Sequence, residues 1–300
     1  MFDLRKSHAH PATFDLVSIG LGLLGLGFAV LTWRWGGGWL ILCAVAVFCL
    51  CLLIYGMLLG PRRLAVRDYS VSLAGASAVR LKLIFLSDFH AGGFRSKEWY
   101  ERIVNETNAL HPDILVLGGD FVCDRHEGMV QLEVLRRLEA PRKFFVLGNH
   151  DFMDRPDLVR QAVAQFGVED LTNKKILIEK DGRKLELGGV DSLWFGAPQL
   201  PRRTSKDTPF ILISHEPDIL MDMKEGDADL VVCGHTHGGQ VRFPYLGYPW
   251  PIPAKLGNAV DRGRKTIFGI PTIISEGLGE FNTRARLFTR PEISVIEIRI

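Results

Sequence analysis

Gly234-His235-Thr236-His237-Gly238-Gly239-Gln240 places two imidazoles one residue apart, directly after the apolar run Leu230-Val231-Val232-Cys233. Side chains of an extended chain alternate with period two, so both rings leave the backbone on the same side. Neutral imidazole is the commonest metal ligand near pH 7, and the flanking glycines let the chain turn without Cβ clashes. Four other apolar runs end in comparable clusters. Leu81 to Leu86 leads into Ser87-Asp88-Phe89-His90, and Ile114 to Leu117 into Gly118-Gly119-Asp120. Phe144 to Leu147 leads into Gly148-Asn149-His150-Asp151, and Phe210 to Ile213 into Ser214-His215-Glu216. Of nine histidines in the chain, His90, His150, His215, His235 and His237 lie in these clusters, accompanied by Asp88, Asp120 and Asn149. Imidazole and oxygen donors without thiolate suit Mn²⁺, Fe or Zn²⁺ better than Ca²⁺ or a structural zinc. Seven or eight ligands are too many for one such ion and match two ions roughly 3.5 to 4 Å apart that share a carboxylate. Such a pair yields hydroxide from a shared water near neutral pH and neutralises phosphoryl oxygens during in-line attack.

The runs that carry these clusters read as strands buried on both faces, because they are nearly continuous in Val, Ile, Leu and Phe. Sites in open α/β sheets form at the carboxyl ends of such strands, so all five clusters can converge on one edge. Helices are predicted over Ser96 to Leu110 and over Pro156 to Phe166, the latter opened by Pro156 and stopped by Gly167. Two more strands are predicted over Pro271 to Ser275 and Ile293 to Ile298. The fold class is α/β.

Asp88-x-His90, Gly118-Gly119-Asp120, Gly148-Asn149-His150-Asp151, His215 and Gly234-His235-x-His237 together resemble the five-block motif of the calcineurin-like metallophosphoesterases, in that family's order and over roughly residues 80 to 300. The resemblance implies a four-layer double β-sandwich flanked by helices. It implies a first metal on Asp88, His90 and His237, a second on Asn149, His215 and His235, and Asp120 bridging both. It also implies that His150 acts near the leaving group and is oriented by Asp151. Within the family, Gly234 to Gln240, Ser275-Glu276-Gly277-Leu278-Gly279 and the apolar N-terminal segment look most like the membrane-anchored bacterial phosphodiesterases. The branch that hydrolyses UDP-2,3-diacylglucosamine is similar in chemistry, but a soluble line of that activity carries arginine where this chain has His150.

Taken singly, Asp88, Asp120 and Asn149 also read as helix caps or Asx-turns; their joint occurrence after buried strands is what favours ligation. His111 and His126 stand outside the blocks and read as solvated or packing residues. Asp124 and Arg125 follow the Asp120 block and are candidate pocket residues, Arg125 as a phosphate clamp. The segment from Arg242 to Pro253 carries Phe243, Tyr245, Tyr248 and Trp250 among prolines and is neither a regular helix nor a central strand. It reads as a rigid loop, or as an aromatic lip that meets an acyl chain or the membrane interface, with Phe243, Tyr245 and Trp250 as candidate substrate contacts.

Ahead of these blocks, Leu16 to Trp33 and Trp39 to Leu59 are free of charge, separated by Arg34 and Gly36-Gly37-Gly38. The second run has the roughly 20 residues needed to cross hydrocarbon, and glycines in the first permit close helix packing. The expected organisation is a tail over residues 1–13, a transmembrane helical hairpin over 14–60, a juxtamembrane linker with a first strand over 61–79 and a catalytic domain over 80–300. Arg5 and Lys6 before the hairpin and Arg62, Arg63 and Arg67 after it place both ends on the cytoplasmic side of the inner membrane. A net charge of +2 argues against nucleic acid as partner, and five scattered cysteines argue against a disulfide framework. The expected partners are the bilayer and a lipid-linked or small-molecule phosphate. The expected function is hydrolysis of a phosphodiester or pyrophosphate with two divalent ions, Mn²⁺ before Fe or Zn²⁺. A general phosphodiesterase or phosphomonoesterase on soluble substrates is the alternative, and a non-catalytic module has no need of so many ligands.

Overall fold

The computed structural model describes residues 20, 22, 23, 27, 38–73 and 79–300. Among the described residues, twelve strands form two six-stranded sheets. The first has the order β1 (Ala65–Ser72), β12 (Glu292–Arg299), β2 (Arg80–Leu86), β3 (Ile114–Leu117), β4 (Arg142–Phe145) and β5 (Glu169–Asp170). The second runs β10 (Gly263–Ile267), β11 (Ile270–Ile274), β9 (Leu230–Cys233), β8 (Phe210–Ile213), β7 (Arg183–Gly189) and β6 (Lys175–Lys180). The strands that deliver the polar clusters are the central ones. β3, β8 and β9 are buried along their whole length, as expected for parallel strands covered on both faces. The edge strands β6 and β10 hold half-exposed or exposed residues and pair antiparallel with their neighbours.

Three apolar cores separate four layers. Phe85, Val116, Phe144, Leu187, Ile213 and Val232 pack between the two sheets. Outside the first sheet, Tyr100, Ile103 and Val104 of α2 (Lys97–Ala109) and Val159 and Val163 of α3 (Pro156–Gln165) cover Ile84, Leu115 and Phe145. Outside the second, Ile219 and Leu220 of a 3-10 turn and Val260 cover Leu212, Val231 and Ile274. The two helices predicted from sequence agree with α2 and α3 to within a residue or so at each end, and the last two strands with β11 and β12. One strand pairing is not local at all. β1 lies parallel to β12, Ala65 opposite Glu292, so the sheet starts at residue 65 and its last strand is inserted between its first two.

The apolar run before β1 forms α1 (Gly38–Ile54), continued by a π turn (Tyr55–Leu59) and a 3-10 turn (Gly60–Arg62). Among the described residues, one helical stretch, Ile41–Arg62, is long and apolar enough to cross a membrane. Apolar residues cover all its faces, without the polar stripe of a surface helix. Of the expected first span, only Gly20, Gly22, Leu23 and Gly27 are described, all helical, with Gly22 standing against Leu50 of α1. The rest of that run, its Gly36-Gly37 turn and the tail over residues 1–13 lie outside the described residues.

Candidate metal centre

The five polar clusters follow β2, β3 and β4 of one sheet and β8 and β9 of the other, so they meet across the seam between the sheets. Backbone hydrogen bonds tie neighbouring clusters. Asp88 N donates to Gly119 O (2.9 Å), His90 N to Asp120 O (3.0 Å) and Gly234 N to His215 O (3.0 Å). Across the seam, His235 N donates to Asp88 Oδ1 (3.0 Å). Two glycines leave room for this convergence. A Cβ on Gly148 would stand 2.3 Å from Asp120 Oδ1, and one on Gly234 would stand 2.6 Å from Asp88 Oδ2.

The donors gather in two buried trios, Asp88 with His90 and His237, and Asp120 with His215 and His235; within each, donor atoms lie no more than 4.8 Å apart. Asp120 Oδ2 faces one histidine of each trio, at 3.5 Å from His90 Nε2 and 3.1 Å from His215 Nε2. Asp88 Oδ1 lies 3.4 Å from His237 Nε2 and 4.0 Å from His215 Nε2. Carbonyls fix the rings from behind. His215 Nδ1 donates to Gly118 O (2.7 Å) and His237 Nδ1 to Gly279 O (3.3 Å), which leaves Nε2 as donor atom. His235 is held the other way, through Nε2 on Pro253 O (2.5 Å), and so offers Nδ1.

This chemistry fits divalent cations. His90 Nε2 and His237 Nε2 approach to 3.0 Å, a distance at which two ring nitrogens share a proton or a cation. The Asn149 side-chain oxygen is buried with no hydrogen-bond partner in a protein interior where such oxygens are ordinarily satisfied. Burial lowers His235 and His237 to about 3 and holds His90 well below the ordinary histidine value, so these rings keep a free lone pair at neutral pH. Asp120 is held well below the ordinary carboxylate range by His215 and His150, against the effect of burial.

His150 is buried beside the first trio, its ring 4.9 Å from His90. Its Nδ1 donates to Cys123 O (2.6 Å), with Asp124 Oδ1 at 3.4 Å, so Asp124 stands beside His150. Burial would depress its pKa, but Asp120 and then Asp124 outweigh that and raise it. The orienting contact expected from Asp151 is supplied by Cys123 instead. Asp151 is taken up by backbone amides, Oδ1 accepting from Phe121 (2.7 Å) and Val122 (3.2 Å) and Oδ2 from Gly148 (2.9 Å). It staples the loops after β3 and β4, which makes it a positioning residue. Arg125, read from sequence as a phosphate clamp, pairs with Glu127 (2.8 Å) in solvent.

The aromatic segment joins the site at its root rather than through the rings singled out. Phe243 pairs with Gly247 in a small hairpin, Tyr245 is fully exposed and Trp250 is half-exposed. Pro253 at its end carries the carbonyl that holds His235. Other rings reach the centre. Trp194 stands edge-on to His235 at 4.6 Å, and Phe281 lies 4.1 Å from His150. Trp194 sits in an irregular stretch without periodicity, whereas Phe281 follows β11 and was within reach of the strand-end argument applied to the other five. Arg286 was also missed. Fully buried, it donates to Glu280 Oε1 (3.1 Å), Glu276 O (2.6 Å), Gly277 O (3.2 Å) and Gly279 O, the last being the carbonyl behind His237. Its own backbone N–H donates to Gly56 O of the π turn (2.8 Å).

Residues 81–239 match the family described as calcineurin-like phosphoesterase. The chain is 29% identical to phosphodiesterase YaeI of Escherichia coli, over 74% of this chain and 83% of that one. It is 27% identical to the uncharacterized metallophosphoesterase YkuE of Bacillus subtilis, over 82% of this chain and 89% of that one. Among solved structures, a 5'-nucleotidase precursor from Thermus thermophilus aligns with a TM-score of 0.43 and 13% identity, over 67% of this chain and 50% of the other.

Proposed function

The chain belongs to the calcineurin-like phosphoesterase family and is a metal-dependent phosphoester hydrolase; from that premise we propose a membrane-anchored, dinuclear enzyme that cleaves a phosphodiester or pyrophosphate in a lipid-linked substrate. The observation that carries the dinuclear reading is Asp120 Oδ2, set between His90 of one trio and His215 of the other. Asp88, His90 and His237 would hold one ion, Asn149, His215 and His235 the other, and Asp120 both. Two divalent cations held there would supply an acidified water and neutralise charge developing on the phosphoryl oxygens. The chain's own contribution is placement. Cys123 O and Asp124 set the His150 ring, and against burial Asp120 and then Asp124 raise its pKa, which suits it to donate a proton to a departing oxygen. Asp151 keeps the Asp120 and Asn149 loops at fixed separation.

A diester substrate is favoured by the likeness to a protein named a phosphodiesterase. A lipid-linked one is favoured by the short path from the apolar helix to the site, through Gly56, Arg286 and Gly279. UDP-2,3-diacylglucosamine is a candidate of that class. We assign residues 14–60 to a hairpin in the inner membrane, 61–79 to a linker with β1 and 80–300 to a catalytic domain on the cytoplasmic side, with Mn²⁺ as the preferred metal. Hydrolysis of a chromogenic diester, a nucleotide and a UDP-linked glycolipid by the full chain, with Mn²⁺, Fe²⁺ or Zn²⁺ and after chelation, tests this. Turnover confined to the soluble substrates removes the lipid-linked reading, and turnover that survives chelation removes the metal one.

A further inference from the structure

The apolar helix and the exposed aromatic hairpin share one root. Counted from Gly38, the roughly 20 residues that cross a hydrocarbon core of about 30 Å end near Met57. Gly56 and Met57 are nevertheless buried against the catalytic domain. Gly56 O accepts from Arg286 N (2.8 Å), and a Cβ on Gly56 would stand 3.7 Å from Leu287 Cβ. The domain surface around Leu287 therefore begins at the level of the last turn of the span, which is the depth of the headgroups.

The hairpin springs from that same surface. Val241 bridges Leu287, Arg242 N donates to Leu287 O (2.9 Å), and Phe243 and Gly247 exchange both backbone hydrogen bonds. At about 3.3 Å per residue, its tip lies within about 13 Å of Leu287. What it presents there is apolar and aromatic. Tyr245 is 107% exposed, Leu246 86% and Trp250 42%, and Phe288, next to Leu287, is 49% exposed. Such a cluster is costly in water, whereas Trp and Tyr favour the membrane interface. The surrounding charge has the sign that anionic headgroups attract. Arg63 donates to Tyr55 Oη (2.6 Å), Arg290 donates to Arg63 O (2.9 Å), and Arg242 lies over the Tyr248 ring.

We propose that the hairpin tip at Tyr245 and Leu246, together with Trp250 and Phe288, is a second, interfacial contact with the bilayer that α1 crosses. The contact is monotopic, rests on the anchor reading of α1, and holds the domain at two points instead of one. Gln240 at the hairpin root donates through Nε2 to Phe281 O (2.8 Å), so the seated hairpin is tied to the loop whose ring covers His150.

The full chain, reconstituted in phosphatidylethanolamine and phosphatidylglycerol vesicles, tests this with a photoreactive benzoylphenylalanine placed singly at position 245, 246, 48 or 130. Phe48 is an exposed residue of α1, and Val130, 70% exposed, lies on the surface of the helical layer. Lipid adducts at 245 and 246 within about threefold of those at 48, and roughly tenfold above those at 130, are expected for interfacial insertion. Adducts at 48 with 245 and 246 at the level of 130 overturn the hairpin contact and leave the anchor standing. Adducts at 245 and 246 without any at 48 overturn the span and with it the two-point seating proposed here. No adducts at 245, 246 and 48 overturn both.

Discussion

Asp88, His90, Asp120, His235 and His237 all hold positive φ, between +47° and +72°. An L-residue in that region gives up roughly 1 kcal/mol or more, and it stays there only where its surroundings over-determine it. Here the carbonyls of Gly279 and Pro253 hold His237 and His235, the amide of His235 holds Asp88, and His90 N donates to Asp120 O. That Asp88, His90, Asp120, His215, His235 and His237 would gather was legible in the sequence, because residue type and position after an apolar run suffice for it. The strain and the ring tautomers were not, because they depend on carbonyls contributed by distant strands. The two kinds of residue respond differently to truncation. His150→Ala should keep two metal equivalents while turnover falls about 10²- to 10⁴-fold, whereas Asp120→Ala should lose metal and turnover together. Metal analysis beside steady-state rates separates them, and equal behaviour of the two variants contradicts the assignment. Asp151→Asn, which weakens three backbone contacts without touching a donor, should destabilise the fold by about 1 to 3 kcal/mol. Denaturant melts show this, with metal occupancy reduced but not abolished.

At the level of elements, the strand ends were the readable part. Runs buried on both faces announce themselves as unbroken apolar stretches, and each polar cluster had to sit where its run stopped. The pairing of β1 with β12 was not readable, since no local pattern links residue 65 to residue 292. Nor was the junction below α1, where glycine matters through space and not conformation. Gly60 has ordinary helical backbone angles, yet a Cβ there would stand 1.9 Å from Arg286 O. Gly60→Ala should therefore push the helix base off the loop that backs His237, at a cost of about 1 to 3 kcal/mol. Bilayer insertion, read by resistance to carbonate extraction, should be unchanged, while metal affinity measured by calorimetry falls. Unaltered affinity would show that the junction is mechanically separate from the site.

Across the molecule, the two sheets meet at the site, and a second buried polar network lies between β1, β12 and the loop after β11. Glu292 is fully buried, near Arg67 (3.1 Å) and accepting from Tyr69 Oη (3.0 Å). Burial, and then the charge of Glu276, raise it from 4.5 to about 7 in spite of Ser294 and Arg67. Between those two values the folded chain keeps a proton that the unfolded chain has released. Stability is therefore fully present below pH 4.5, falls as pH rises through about 7, and levels above it. The whole change is on the order of 3 kcal/mol. Glu292→Gln should flatten this dependence, as read from urea midpoints at about pH 5 and about pH 8.

Strand order also sets a schedule for biosynthesis. Among the described strands β12 is translated after all the others, yet it lies between β1 and β2, the first two. Until it arrives, β2 has an open edge, and Gly277 O lacks the Glu292 N–H that it accepts (3.0 Å). The neighbouring Leu278 and Gly279 amides, which donate to Ser87 O (3.0 Å) and Asp88 O (2.6 Å), then have a loop free at one end. Every metal donor has been translated by then, but the cradle is not closed. A nascent chain stalled before Glu292 should carry all seven donors and retain no metal, and release of the following eight residues should restore binding. On the anchor reading proposed above, the apolar helix emerges well before this closure, so anchoring comes first and metal loading last.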